Sequence, residues 1–108
     1  MIIVTVFKQN GYITGFNTHG HAGYAKAGKD IICSAVSALT INAINSVESL
    51  TSQHFECETE ESDGYIRYSL QEPYDDDAQL LLKSFILGIE GIINDYGNKY
   101  VDLRIKEV

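Results

Sequence analysis

Two residues, Asn10-Gly11, constrain this chain more than any others. They separate two runs rich in β-branched and aromatic residues, 2–8 and 12–19. Asn-Gly in such a setting is the strongest short-range signal for a two-residue hairpin turn, because both positions must take positive φ. A second hairpin is predicted further along. Phe55, Cys57 and Thr59 alternate with Glu56, Glu58 and Glu60, Asp63-Gly64 supplies the turn, and Ile66, Tyr68 and Leu70 form the matching inner face. On this pattern Cys57 is a core-face residue and His54 a strand-edge one.

Two helices complete the pattern. Over 31–51, Ile32, Val36, Leu39, Ala43, Val47 and Leu50 recur at spacings of three and four. Asp30 is a suitable N-cap for that helix, which puts Cys33 at the third helical position. Over 75–96 the apolar stripe is Ala78, Leu81, Leu82, Phe85, Ile89, Ile92 and Tyr96, with Asp75-Asp76-Asp77 at the start, where the helix dipole favours negative charge. Gly97-Asn98 is read as a left-handed cap. Gly88 and Gly91 lie inside this helix and predict close approach of another element, either the first helix or a second subunit. A last strand, 100–106, points Val101, Leu103 and Ile105 inward. The order β-β-α-β-β-α-β, with tight turns between adjacent strands, gives an α+β fold: a largely antiparallel five-stranded sheet packed with two helices.

The 108 residues suit one domain, 1–108, which buries roughly two-thirds of its unfolded surface. No apolar run approaches the length of a membrane span, and the N-terminus lacks the basic start and cleavage site of a signal peptide. A cytoplasmic, membrane-independent protein is the expectation. Two cysteines do not make a disulfide framework. A net charge of −7 disfavours direct nucleic-acid binding and suits a basic partner or simple solubility.

The chemistry concentrates in Gly20-His21-Ala22-Gly23 and Gly28-Lys29-Asp30-Ile31-Ile32-Cys33-Ser34. A cysteine in the first turn of a helix meets the positive end of the dipole, which favours the nucleophilic thiolate. The free N–H groups near Cys33 and Ser34 would then be candidates for an oxyanion hole. His21 is a candidate general acid and base. Ser37, one turn beyond Cys33, shares its helix face. The stretch 22–29, with small residues, Tyr24 and two lysines, Lys26 and Lys29, reads as a lid that closes over substrate, or else as an ordinary exposed connection.

Two other readings are set aside. His19, His21 and Cys33 are three conceivable zinc ligands, but no paired-cysteine spacing or His-Glu signature accompanies them, so no metal or cofactor is expected. Gly23 to Lys29 matches the spacing of a phosphate-binding loop until Asp30 stands where a Ser or Thr should hold magnesium. That carboxylate competes with phosphate for the same N–H groups.

Gly20-His21-Ala22, a short loop, and then Gly28-x-Asp30-Ile31-Ile32-Cys33-Ser34-Ala35-Val36-Ser37-Ala38 resemble the signature of the ribosomal-processing cysteine proteases. The resemblance extends over essentially the whole chain. It implies a catalytic dyad of His21 and Cys33, with Gly20, Asp30, Ser34 and Ser37 as site support and Tyr24, Lys26 and Lys29 on a substrate-binding lid. It also implies a homodimer whose substrate is the precursor of a large-subunit ribosomal protein, cut to remove an N-terminal extension. Ser34 stands where alanine is commoner. The alternative from the residues alone is a non-enzymatic, ribosome-associated binding module with structural His21 and Cys33.

Overall fold

Asn10 and Gly11 both take positive φ, 51° and 84°, and fold β1 (Ile2–Gln9) back onto β2 (Tyr12–His19). The computed structural model describes residues 1–20, 27–60 and 64–108, with the backbone alone for 27–30. After β2 come α1 (Ala27–Leu50), β3 (Phe55–Glu60), β4 (Tyr65–Leu70), α2 (Asp76–Tyr96) and β5 (Val101–Glu107). The strands form one sheet in the order β3-β4-β2-β1-β5. All pairs are antiparallel except β1 with β5, where Ile2 faces Val101 and Lys8 faces Glu107. The sheet is therefore mixed but mostly antiparallel, as the element order predicts.

Both helices cover the same face. Val4 and Val6 of β1, Phe16 of β2, Tyr68 of β4 and Val101 of β5 share one core cluster with Val36 and Val47 of α1 and Leu82 and Ile89 of α2. Phe16 anchors it, its ring centroid 4.6 Å from Phe85 and 5.1 Å from Tyr68. Side chains buried this fully contribute roughly 1.5–3 kcal/mol each. Gly88 lies against α1: a Cβ there would stand 2.9 Å from Leu39 Cδ1, so the close approach predicted for this glycine is to the first helix. Gly91 has open space beside it.

A bulge sets the inner face of β2. Phe7 pairs with Gly15 and Lys8 with Ile13, so Thr14 is an extra residue and Ile13 and Phe16 both point into the core. Gln79, buried on α2, fixes that kink. Its Oε1 accepts from Ile13 N–H and its Nε2 donates to Ile13 C=O, both at 2.8 Å. Gln53 acts similarly at the other end, donating to the His54 and Gln71 carbonyls and accepting from Asp75 N–H.

Several expectations change. The first helix begins at Ala27, not 31, so Asp30 is not its N-cap. Alanine and lysine favour helix, and an aspartate is tolerated in a first turn by the dipole, so the segment extends backward past the apparent cap. The second helix begins as read: Asp75 is the N-cap and its carboxylate accepts from Asp77 and Ala78 N–H. Gly97 has φ 82° but ψ 172°, so the cap is extended in ψ rather than left-handed, and its N–H reaches Ile93 C=O at 2.7 Å. Cys57 and Thr59 are exposed, as is Ile105, although each was assigned to an inner face. β3 and β5 are the two edges of the sheet, each with a neighbouring strand on one side only, and these side chains stay open to solvent. His54 is exposed just before β3. Finally, Ile31–Leu50 is long and apolar enough, by length and composition, to cross a membrane. Here it is a core helix, with Ile32, Val36, Thr40, Ala43 and Val47 buried against the sheet and α2.

Candidate active site

A cleft of about 380 Å³ opens where the first half of α1 passes beneath the ends of β2, β3 and β4. α1 contributes Cys33, Val36, Ser37, Thr40 and Ile41, residues that follow one another at helical spacing on a single face. Ile2, Thr18 and Gly20 form the wall from the first hairpin, and Thr59, Glu60, Gly64, Tyr65 and Ile66 the wall from the second. Cys33 is half-buried and packs against the hydrophobic core, which fixes its backbone while leaving the thiol on the cleft wall.

Gly20 is where β2 leaves the sheet. Its φ is 94°, and a Cβ at this position would collide with the Met1 carbonyl, so the exit from the strand requires glycine twice over. The next residue in the chain is His21. His21, Tyr24 and Lys26 lie outside the described residues, as do the side chains of Lys29 and Asp30. Of the segment read as a lid, 22–29, residues 22–26 lie there too, while 27–29 form the start of α1 and are not part of a loop.

The remaining predicted residues divide. Gly20, Cys33 and Ser37 are brought together on the cleft. Ser34 is exposed and stands off its wall. The earlier helix start also changes the role of the Cys33 backbone. Cys33 is the seventh residue of α1, so its N–H and that of Ser34 fall within the regular i to i−4 ladder and are not among the first four unpaired groups. They are not available as oxyanion donors in this conformation.

His19 sits opposite Ile3 on the sheet face away from the helices, its ring 6.1 Å from that of Tyr65 in an edge-on contact. Thr18, its neighbour, faces the helices and the cleft. His19 therefore projects from the opposite side of the sheet to Cys33. Among the described residues, no group of three His, Cys, Asp or Glu is placed to hold a metal ion.

The sequence reading missed the β3–β4 wall. No local signal placed it there: the wall follows from the pairing of β4 with β2, in which Ile66 stands opposite Thr18, forty-eight residues apart in the chain. Glu60 belongs to this wall, at the end of an edge strand that also carries exposed Glu56 and Glu58.

Comparison with known proteins decides the class. The sequence matches the family described as cysteine protease Prp over residues 1–102. The chain belongs to that family. It is 33% identical over 88 residues to the ribosomal processing cysteine protease Prp of Bacillus subtilis strain 168, covering 78% of this chain and 79% of the relative. Among solved structures it superposes with a TM-score of 0.88 on the essential ribosomal processing protease Prp of S. aureus, captured with a covalently linked product peptide. The two are 26% identical, and the match covers 98% of this chain and 100% of that one. A Streptococcus mutans protein gives a TM-score of 0.90 at 31% identity, covering 100% of this chain and 96% of that one. The protein is thus a cysteine protease, and of its two cysteines Cys33 is the one on the cleft.

Proposed function

We propose that this protein is a cytoplasmic endopeptidase that removes the N-terminal extension of a large-subunit ribosomal protein, with Cys33 as nucleophile and His21 as general acid and base. The observation that carries the reading is the position of Cys33, half-buried on the wall of a cleft that also holds Gly20, the residue directly before His21. Two of the relatives named above support it, the ribosomal processing protease of Bacillus subtilis and that of S. aureus, the latter solved with a covalently linked product peptide.

The chemistry follows from those two groups. The Cys33 thiolate adds to the scissile carbonyl, the carbon–nitrogen bond breaks, and His21 gives its proton to the departing amine. Water then adds to the thioester, His21 takes a proton from it, and the carbon–sulfur bond breaks to regenerate the thiolate beside a protonated His21. Oxyanion donors must come from groups other than the Cys33 and Ser34 N–H. The net charge of −7, with Glu60 at the cleft, complements a basic ribosomal protein. Direct nucleic-acid contact has no part in the scheme.

In this reading the protein acts as a homodimer. Leu80 and Leu87, exposed and seven residues apart on α2, offer an apolar strip to a second copy. Sedimentation at micromolar concentration tests that assignment. The activity itself is tested by incubating the purified protein with the ribosomal precursor and reading intact masses. A single cut near the precursor N-terminus supports the reading, and an unchanged precursor contradicts it.

A further inference from the structure

Five residues that carry a hydroxyl line the Cys33 cleft, Thr18, Ser37, Thr40, Thr59 and Tyr65, although the Tyr65 ring turns to the other face of the sheet against His19. Their situations differ. Ser37 and Thr59 are exposed, so water satisfies them. Thr40 is buried, but its hydroxyl donates to the Val36 carbonyl at 2.7 Å. The Tyr65 hydroxyl accepts from Arg67 Nε at 3.1 Å. Thr18 alone is both buried, 5% exposed, and uncommitted: no side-chain hydrogen bond among the described residues engages it.

The position of Thr18 makes this informative. It stands on β2 two residues before Gly20, paired with Val4 on one side and Ile66 on the other. Both neighbours are aliphatic, as are Ile2 and Val36 on the same cleft. Valine would fill this place with the same shape and no polar atom. The buried hydroxyl cut off from solvent without a partner among the described residues is that of Tyr68, whereas Thr18 lines the cleft, where a hydroxyl not held by the protein meets whatever occupies it.

We infer that the Thr18 hydroxyl is a substrate-positioning group, which hydrogen-bonds the main chain of the peptide lying across Cys33. A peptide drawn into an apolar-walled cleft carries its own N–H and C=O groups, which need partners once water is displaced. A threonine hydroxyl meets either need, since it donates one hydrogen bond and accepts others. The contact reads backbone and not side chain, so it acts alike on peptides of different sequence. This inference rests on the proposed protease reading of the same cleft.

The test compares Thr18→Val, which keeps the shape, with Thr18→Ser, which keeps the hydroxyl. Cleavage kinetics are measured on two precursor peptides of different sequence. Binding of the same peptides is measured by calorimetry in a Cys33→Ala background, and the thermal midpoint of each variant is recorded. Thr18→Val is expected to raise KM and Kd by roughly 3- to 10-fold for both peptides, with kcat within about twofold and an unchanged midpoint, the range for one neutral hydrogen bond. Thr18→Ser is expected to bind as wild type does. Unchanged binding by Thr18→Val, or an equal loss in Thr18→Ser, overturns the inference while wild-type cleavage leaves the protease reading intact. A wild-type protein that neither cuts nor binds the peptides overturns both.

Discussion

The side-chain amide of Gln79 hydrogen-bonds both backbone groups of Ile13, sixty-six residues away in the chain, at 2.8 Å each. This one contact ties α2 to the bulge that turns both Ile13 and Phe16 into the core. It also keeps β2 in the register that delivers Thr18 and Gly20 to the cleft.

Gln79→Ala is therefore expected to cost about 2–4 kcal/mol, because it leaves a buried N–H and a buried C=O without partners. Gln71, whose amide reaches Glu56 at an exposed position, is the control. Gln71→Ala is expected to change stability by less than about 0.5 kcal/mol. Urea denaturation of the two variants beside wild type measures the contrast, and equal losses would count against the clamp.

Tyr68 gives a pH dependence with a definite sign. Burial first, then the nearby Cys57 and Glu48, raises its phenol well above the usual tyrosine range. A folded-state pKa above the unfolded value means a contribution present below the unfolded value, near pH 10, and lost as pH rises beyond it. Stability is expected to fall by up to about 1.4 kcal/mol per pH unit in that window from this group. The Tyr68 hydroxyl is also buried without a hydrogen-bond partner among the described residues. Tyr68→Phe is expected to match wild type or exceed it at pH 7 and to outlast it above pH 10. Urea midpoints at pH 7 and pH 10.5 check both statements.

The two thiols are expected to separate by alkylation. Cys57 is exposed, yet partial desolvation raises its pKa, which leaves less thiolate at neutral pH. At pH 7 iodoacetamide is expected to modify Cys33 first despite its lesser exposure, and the Cys57 rate is expected to climb steeply as pH rises above neutrality. Peptide mapping after timed quenches reads the order. Faster labelling at Cys57 would mean that exposure, not nucleophile chemistry, governs the pair.

Where one feature controlled the geometry, the sequence was enough. Asn10-Gly11 set the first turn, and the acidic run Asp75-Asp76-Asp77 marked the start of α2, where Asp75 proves to be the N-cap. The motif also brought Gly20, Cys33 and Ser37 to one cleft. The failures share a physical cause: alternation tells which residues share a face, not whether anything covers it. Cys57, Thr59 and Ile105 alternate correctly and are exposed, because they lie on the two edge strands of the sheet. Asp30 is a good cap by type, and the chain continues helical through it. Gln53 and Gln79 left no periodic signal, since their roles depend on backbone groups that only the tertiary fold brings near.

The central claim is that one thiol and one imidazole carry the cleavage. It is tested most directly by the rate of precursor processing in wild type, Cys33→Ala, His21→Ala and Cys57→Ala, each first shown to be folded by circular dichroism. The account predicts that Cys33→Ala is inactive, that His21→Ala loses at least about a hundredfold, and that Cys57→Ala cuts as wild type does. Wild-type turnover by Cys33→Ala would contradict it outright.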